Sequence, residues 1–142
     1  MNVVVYIDGS HAAEEAVKYA ARRCVPEARV VLLHVVPSGR TGTLQSGEKV
    51  LERGCSLFTS LAGSQTVVTT RLEVGDAVAR ITEVADAVDA DAIIMGSHDL
   101  GAFPRSQVLG RAAEDTVAAT SRPVILVFPE GSEVVPAAGI GV

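Results

Sequence analysis

Few side chains in this sequence are equipped for chemistry. They are Asp8 and Ser10 where the first apolar run ends, the histidines His11, His34 and His98, the thiols Cys24 and Cys55, and the glycine-bearing run from Gly96 to Gly110 with Arg111 behind it. Each points to a different reaction class, and most of those classes fail on spacing. The three histidines lack metal-ligand spacing and the two cysteines form no C-x-x-C pair, so no metal site is expected. No G-x-S-x-G elbow occurs, and no nucleophile stands with a base, so no catalytic residue is assigned. The first turn, Asp8-Gly9-Ser10-His11-Ala12-Ala13, is not the G-x-G-x-x-G of a dinucleotide site. A P-loop needs a lysine in such a turn, yet Lys18 and Lys49 both fall in helical stretches. A receiver domain needs clustered acids after its first strand and a lysine after its fifth; Asp8 stands alone, and Phe128-Pro129 occupies the lysine's place.

The elements that position these residues alternate. Asn2 to Ile7, Arg29 to Val36, Thr66 to Val74, Asp91 to Met95 and Pro123 to Phe128 are β-branched or apolar runs, and the polar Thr and Arg of the third mark it as an exposed edge. Between them lie helical stripes: Ala13, Ala16, Val17, Ala20 and Cys24 behind an N-cap at Ser10 and ended by Pro26; Val50, Leu51, Leu57, Phe58 and Leu61; Val78, Ile81, Ala85 and Val88 opened by Gly75-Asp76; and Ala112, Ala113, Val117 and Thr120. Residues 38–47 read as a mobile loop. This order predicts an α/β, doubly wound, Rossmann-like domain with a parallel sheet. Ligands of such sheets bind beyond the carboxyl ends of the strands at the topological switch point. The places to look are therefore Asp8-Gly9-Ser10, Val35 to Ser38, Gly75-Asp76 and Gly96 to Arg111.

Composition narrows the partners. The chain has 142 residues, the length of one domain, and is 48% hydrophobic, which excludes disorder over most of it. Its net charge of −5 argues against nucleic acid, and 4% aromatic content leaves little for bases to stack on. No apolar stretch nears the ~20 residues of a membrane span and no signal-peptide pattern opens the chain, so a cytoplasmic location is expected. Two cysteines are too few for a disulfide framework and are expected to be reduced and partly buried.

Several stretches, in order, resemble the universal stress protein family over residues 2–128. They are the opening strand ending in Asp-Gly-Ser (VVVYIDGS) with its Ala-rich helix, the second strand VVLLHVV, and the run EVGDAVARITEVADAVDADAIIMGSHD…LGRAAEDTVAATSRPVILV. The resemblance implies a five-stranded parallel sheet in order 3-2-1-4-5. It also implies a non-enzymatic stress or regulatory module, and a homodimer paired antiparallel through the last strand, Pro123 to Phe128. An apolar edge of that kind, without gatekeeping charges, is an aggregation liability unless it is covered. Family members that bind ATP carry G-x2-G-x9-G-S/T, whose glycines and helix N-terminus receive phosphates.

Carried over residue by residue, the resemblance puts Asp8 on the ribose, Val35 main chain beside the adenine, and Met95, Gly96 and Gly110 at the ends of the phosphate loop, with His98 and Arg111 in or beside it. The match is incomplete. Asp99 replaces the second glycine, ten residues separate it from Gly110, Arg111 replaces the Ser/Thr, and Pro104 stiffens the loop. Like charges 4 Å apart at an effective dielectric of ~20 cost ~4 kcal/mol, so Asp99 opposes a polyphosphate. Arg111 favours one through bidentate contacts, or pairs with Asp99 across an empty loop. ATP or AMP is thus the expected ligand of a partly degenerate pocket, against a pure interaction module or a weak ATP hydrolase. Plainer readings stand beside these: Asp8 as a turn residue, His34 and Met95 as core, His98 as surface. Residues 129–142 have neither period nor charge pattern and are read as a disordered C-terminal tail beyond the domain, unless Val134, Val135 and Ile140 extend or swap onto a dimer partner.

Overall fold

The computed structural model describes residues 1–23, 26–38, 43–63, 65–97, 111–128 and 134–136. Its elements are β1 (Asn2–Tyr6), α1 (His11–Arg23), β2 (Arg29–Val36), α2 (Thr43–Leu61), β3 (Val67–Val74), α3 (Ala77–Ala87), β4 (Ala92–Gly96), α4 (Arg111–Ala119), β5 (Val124–Val127) and β6 (Val134–Pro136). The sheet order is β3-β2-β1-β4-β5-β6. The first five of these strands are parallel in the expected order, while β6 runs antiparallel on β5, Val127 facing Val134 and Ile125 facing Pro136. The sheet is therefore mixed and six-stranded, and part of the segment read as a featureless tail belongs to it. The physical reason is the open edge of β5, whose unpaired N–H and C=O groups template any nearby extended segment.

Two apolar layers flank the sheet. Val3, Val5 and Ile7 of the first strand face α1 and α2, packing with Ala13, Ala16, Val17, Leu51 and Phe58. Val4 and Tyr6 face the other way, with Leu33, Val35 and Met95, toward Ile81, Val84 and Ala85 of α3 and Ala113 of α4. The alternation follows from the two-residue period of a strand, and burial on both faces explains why these runs are continuously apolar. The third strand is an exposed edge, as its Thr and Arg content predicts.

Caps and close approaches fix the helices. Ser10 caps α1 as expected, its Oγ accepting the Ala13 N–H at 3.1 Å. Asp76 caps α3 in the same way, Oδ2 accepting the Ala79 N–H at 2.9 Å. The second helix begins at Thr43, seven residues before the expected Val50, so residues 43–47 of the presumed loop are helical. Gly47 and Gly54 let α2 lie on the sheet: a Cβ at Gly47 would meet Leu72 at 2.8 Å, and one at Gly54 would meet Ile7 at 2.7 Å. In α3 the buried face is Ile81, Val84 and Ala85, with Val78 and Val88 only half-buried. Arg122 clamps the far end of that helix, donating to Asp86 at 3.0 Å, to Asp89 at 3.1 Å and to the Ala90 carbonyl at 2.8 Å. Cys55 is a free, half-buried thiol; Cys24 lies outside the described residues. Among the described residues no helix is long and apolar enough to cross a membrane.

Candidate functional site

The carboxyl ends of β2, β1 and β4 meet at one level. Tyr6 lies opposite Leu33 on one side and opposite Met95 on the other. Continuing that register two residues places Asp8 level with Val35 and with Ser97. The β1–β2 ladder reaches Ile7, whose N–H donates to the Leu33 carbonyl at 2.8 Å. Because backbone groups of residues i and i+2 point to the same side of a strand, the main chain of Val35 is directed toward β1, beyond the point where β1 has turned away. His34 Nδ1–H donates to the Ile7 carbonyl at 2.7 Å and closes the ladder there. This half-buried histidine is structural, as its place in an apolar strand suggests.

Strand parity sorts the candidates by face. Val35 and Met95 lie in the α3–α4 layer, both buried. Asp8 follows Tyr6 by two residues and continues the same face. Its Oδ1 accepts the Ser10 N–H at 3.0 Å, across a turn in which Gly9 has φ +84°, a conformation that costs glycine least. The carboxylate is thereby held at the N-terminus of α1, which favours its charge. Burial chiefly, and secondarily the Asp8 charge, push the Tyr6 hydroxyl up to about 12.

Gly96 belongs to the opposite face. A Cβ there would lie 2.4 Å from the Ala12 carbonyl carbon and oxygen and 2.7 Å from the Ala13 nitrogen. Its smallness lets β4 approach the first turn of α1, whose buried side is alanine at 12, 13, 16, 20 and 21. One residue on, Ser97 is fully buried and its N–H donates to the Val127 carbonyl at 2.8 Å. His98, Asp99 and Gly110 lie outside the described residues. Arg111 is the first residue of α4, so that helix begins at the carboxyl end of the sheet where the phosphate loop was placed.

Sequence reasoning missed two neighbours. Tyr6 is one, and its signal was available: it is the residue two before Asp8 on the same strand face. The other is Arg80, in the first turns of α3. It folds over Gly75, coming within 3.1 Å of where a Cβ would stand, and pairs with Glu83. Gly75 in turn donates its N–H to the Val36 carbonyl at 2.9 Å, so a cation lies beside the ends of β2 and β3.

A cavity of about 400 Å³ opens between α1 and α2, lined by Ile7, Ser10, Val17, Val50 and Leu57, with the Glu14–Arg53 pair at 3.3 Å on its wall. It is on the opposite face from Val35 and Met95 and includes neither. Among the described residues no group of three or more His, Cys, Asp or Glu side chains is placed to hold a metal ion.

Residues 1–127 match the model of the universal stress protein family. No curated protein matches the chain. Among solved structures, the fold is shared with the universal stress protein from Archaeoglobus fulgidus at a TM-score of 0.74 and 24% identity, covering 89% of this chain and 92% of that one. The universal stress protein from Archaeoglobus fulgidus in complex with dAMP matches at 0.69 and 26%, covering 89% and 96%. A universal stress protein family protein from Arabidopsis thaliana with AMP bound matches at 0.69 and 17%, covering 94% of each chain.

Proposed function

Since the chain belongs to the universal stress protein family, we propose that it is a non-enzymatic regulatory module that binds an adenine nucleotide at the carboxyl ends of β1, β2 and β4 and pairs with a second copy through β5. One observation carries the nucleotide reading: Asp8, the inward-turned main chain of Val35, and Met95 stand at neighbouring strand ends with Asp8 continuing the Tyr6 face. In this arrangement Asp8 accepts ribose hydroxyls, the Val35 main chain meets the base edge, and Met95 forms the apolar floor. The structural relatives that hold dAMP and AMP support the ligand class. By the family resemblance alone, Gly96, His98, Gly110 and Arg111 are the residues assigned to the phosphate side. Asp99 stands in the sequence where the family's second phosphate-loop glycine is expected, and on that ground AMP is the preferred ligand, since each further phosphate brings more like charge.

Calorimetric titration with AMP and ATP tests this. AMP is expected to bind at least as tightly as ATP. The Asp8→Asn variant keeps the turn but removes the charge, and is expected to lose roughly 10- to 100-fold in affinity, the worth of hydrogen bonds to a charged group. No heat with either nucleotide, or unchanged affinity in Asp8→Asn, overturns the reading. Phosphate release from ATP with Mg²⁺ over hours should not exceed the buffer control.

A further inference from the structure

The edge assigned to pairing between copies is already occupied by the chain itself. Val134–Pro136 lies antiparallel on Val124–Val127 in the register Val127–Val134, Leu126–Val135 and Ile125–Pro136. The family match ends at residue 127, so this strand is an addition to the shared domain. Val124, Leu126 and Val127 are buried, and the strand carries no charged residue to discourage a partner. An edge of this composition needs a cover, and here the cover is tethered to it.

We propose that β6 is a built-in cap that a second copy must displace in order to pair with β5. The proposal rests on the reading that copies pair through β5. Only six residues, Phe128 to Glu133, join the paired ends Val127 and Val134. A tether only a few residues long holds its strand at an effective concentration on the order of mM. A second copy present at about 1 μM therefore competes at a disadvantage of roughly a thousandfold for equal pairing. Pairing of two capped copies also requires both to open. If each is open about a tenth of the time, the apparent dissociation constant rises by about a hundredfold, the inverse of the product of the two open fractions. The tail thus sets the concentration at which the protein self-associates, and anything that binds or cleaves residues 129–142 releases the edge.

Sedimentation across a concentration series tests this with three proteins: the full chain, a chain ending at Phe128, and a Val134→Pro, Val135→Pro double variant. Successive residues of a strand point their N–H groups to opposite sides, so the double variant removes whichever of the two faces β5. Amide exchange at Val124–Val127 reports whether β5 is covered, and a retained thermal transition shows that each variant folds. The expected result is a full chain that dimerises about a hundredfold more weakly than both variants, whose dimers protect β5. A full chain that dimerises as tightly as the variants, with β5 protected and Val134 and Val135 exchanging freely, overturns the cap and leaves β5 pairing intact. Folded variants that stay monomeric with β5 amides exchanging overturn the cap by removing its competitor, and with it the reading of β5 as the pairing edge.

Discussion

Replacing Gly96 with alanine separates a packing role from a ligand role. The added Cβ lies 2.4 Å from two backbone atoms of Ala12 and 2.7 Å from a third at Ala13. No rotamer change relieves such contacts, so β4 or α1 must shift by roughly 1 Å to restore ordinary carbon separations. Overpacking a tight interior costs ~1–3 kcal/mol, and a clash with backbone on both sides belongs at the upper end, about 3 kcal/mol. At roughly 4 °C per kcal/mol for a domain of this length, the midpoint of thermal unfolding should fall by about 12 °C without nucleotide. Gly54→Ala is the control. Its Cβ meets side-chain ends alone, Ile7 at 2.7 Å and Leu32 at an ordinary 3.8 Å, and alanine within a helix gains ~1 kcal/mol over glycine, which offsets a side-chain adjustment of similar size. Its midpoint should stay within about 4 °C of the parent. Melting curves of the three proteins followed by circular dichroism decide the matter. A Gly96→Ala midpoint within about 2 °C of the parent, or a Gly54→Ala loss as large as that of Gly96→Ala, refutes the packing account.

Tyr6 ionises at about 12 in the folded chain against ~10 unfolded, so its contribution is complete below pH 10 and is lost as pH rises from 10 to 12, about 2–3 kcal/mol in all. Tyrosinate absorbance locates that step, and Asp8→Asn should lower it only in part, because burial is the larger cause. Removing the cap in Asp76→Ala should cost ~1 kcal/mol, read as a lower urea midpoint, while Asp76→Asn retains most of it. Arg122→Ala unties the α3 end from the start of β5 and should lower the melting temperature, with the parent–variant gap narrowing in high salt as the Asp86 and Asp89 contacts are screened.

The parallel core of the fold was legible because its signals are local. Continuous β-branched runs, an N-cap at Ser10, a helix opened at Gly75-Asp76 and apolar stripes at helical spacing each act within a few residues, and these elements recur in the structure, although Leu61 of the second stripe is exposed. What was not legible depends on pairs distant in sequence. The early start of α2 was hidden because residues 43–49 are mostly polar and include Gly47, whose justification is Leu72 across the layer. The sixth strand was hidden because Val134–Pro136 has no pattern of its own and is extended only by the edge of β5. At the site, Asp8, Val35 and Met95 could be singled out, and their strand ends meet. Tyr6 shares the face of Asp8 by the two-residue period of a strand, but its burial beside that carboxylate is set by the layers of the fold.

The face on which each residue lies also decides which of them can report on the ligand. Gly96 looks like part of a phosphate loop, yet its missing Cβ is directed at α1, while Val35 and Met95 face α3 and α4. A chain that bound no nucleotide would still need glycine there, so its presence favours neither reading. The same holds for Met95 and His34, whose burial or hydrogen bonding already accounts for them. Asp8 differs in one respect. Its turn requires a side-chain oxygen to accept the Ser10 N–H, and asparagine supplies that oxygen as well as aspartate does. The turn therefore explains the acceptor but does not by itself require the charge. Asp8→Asn should accordingly leave the melting temperature within about 2 °C while AMP affinity falls. Loss of stability in step with affinity would make the carboxylate a structural group and withdraw it from the site.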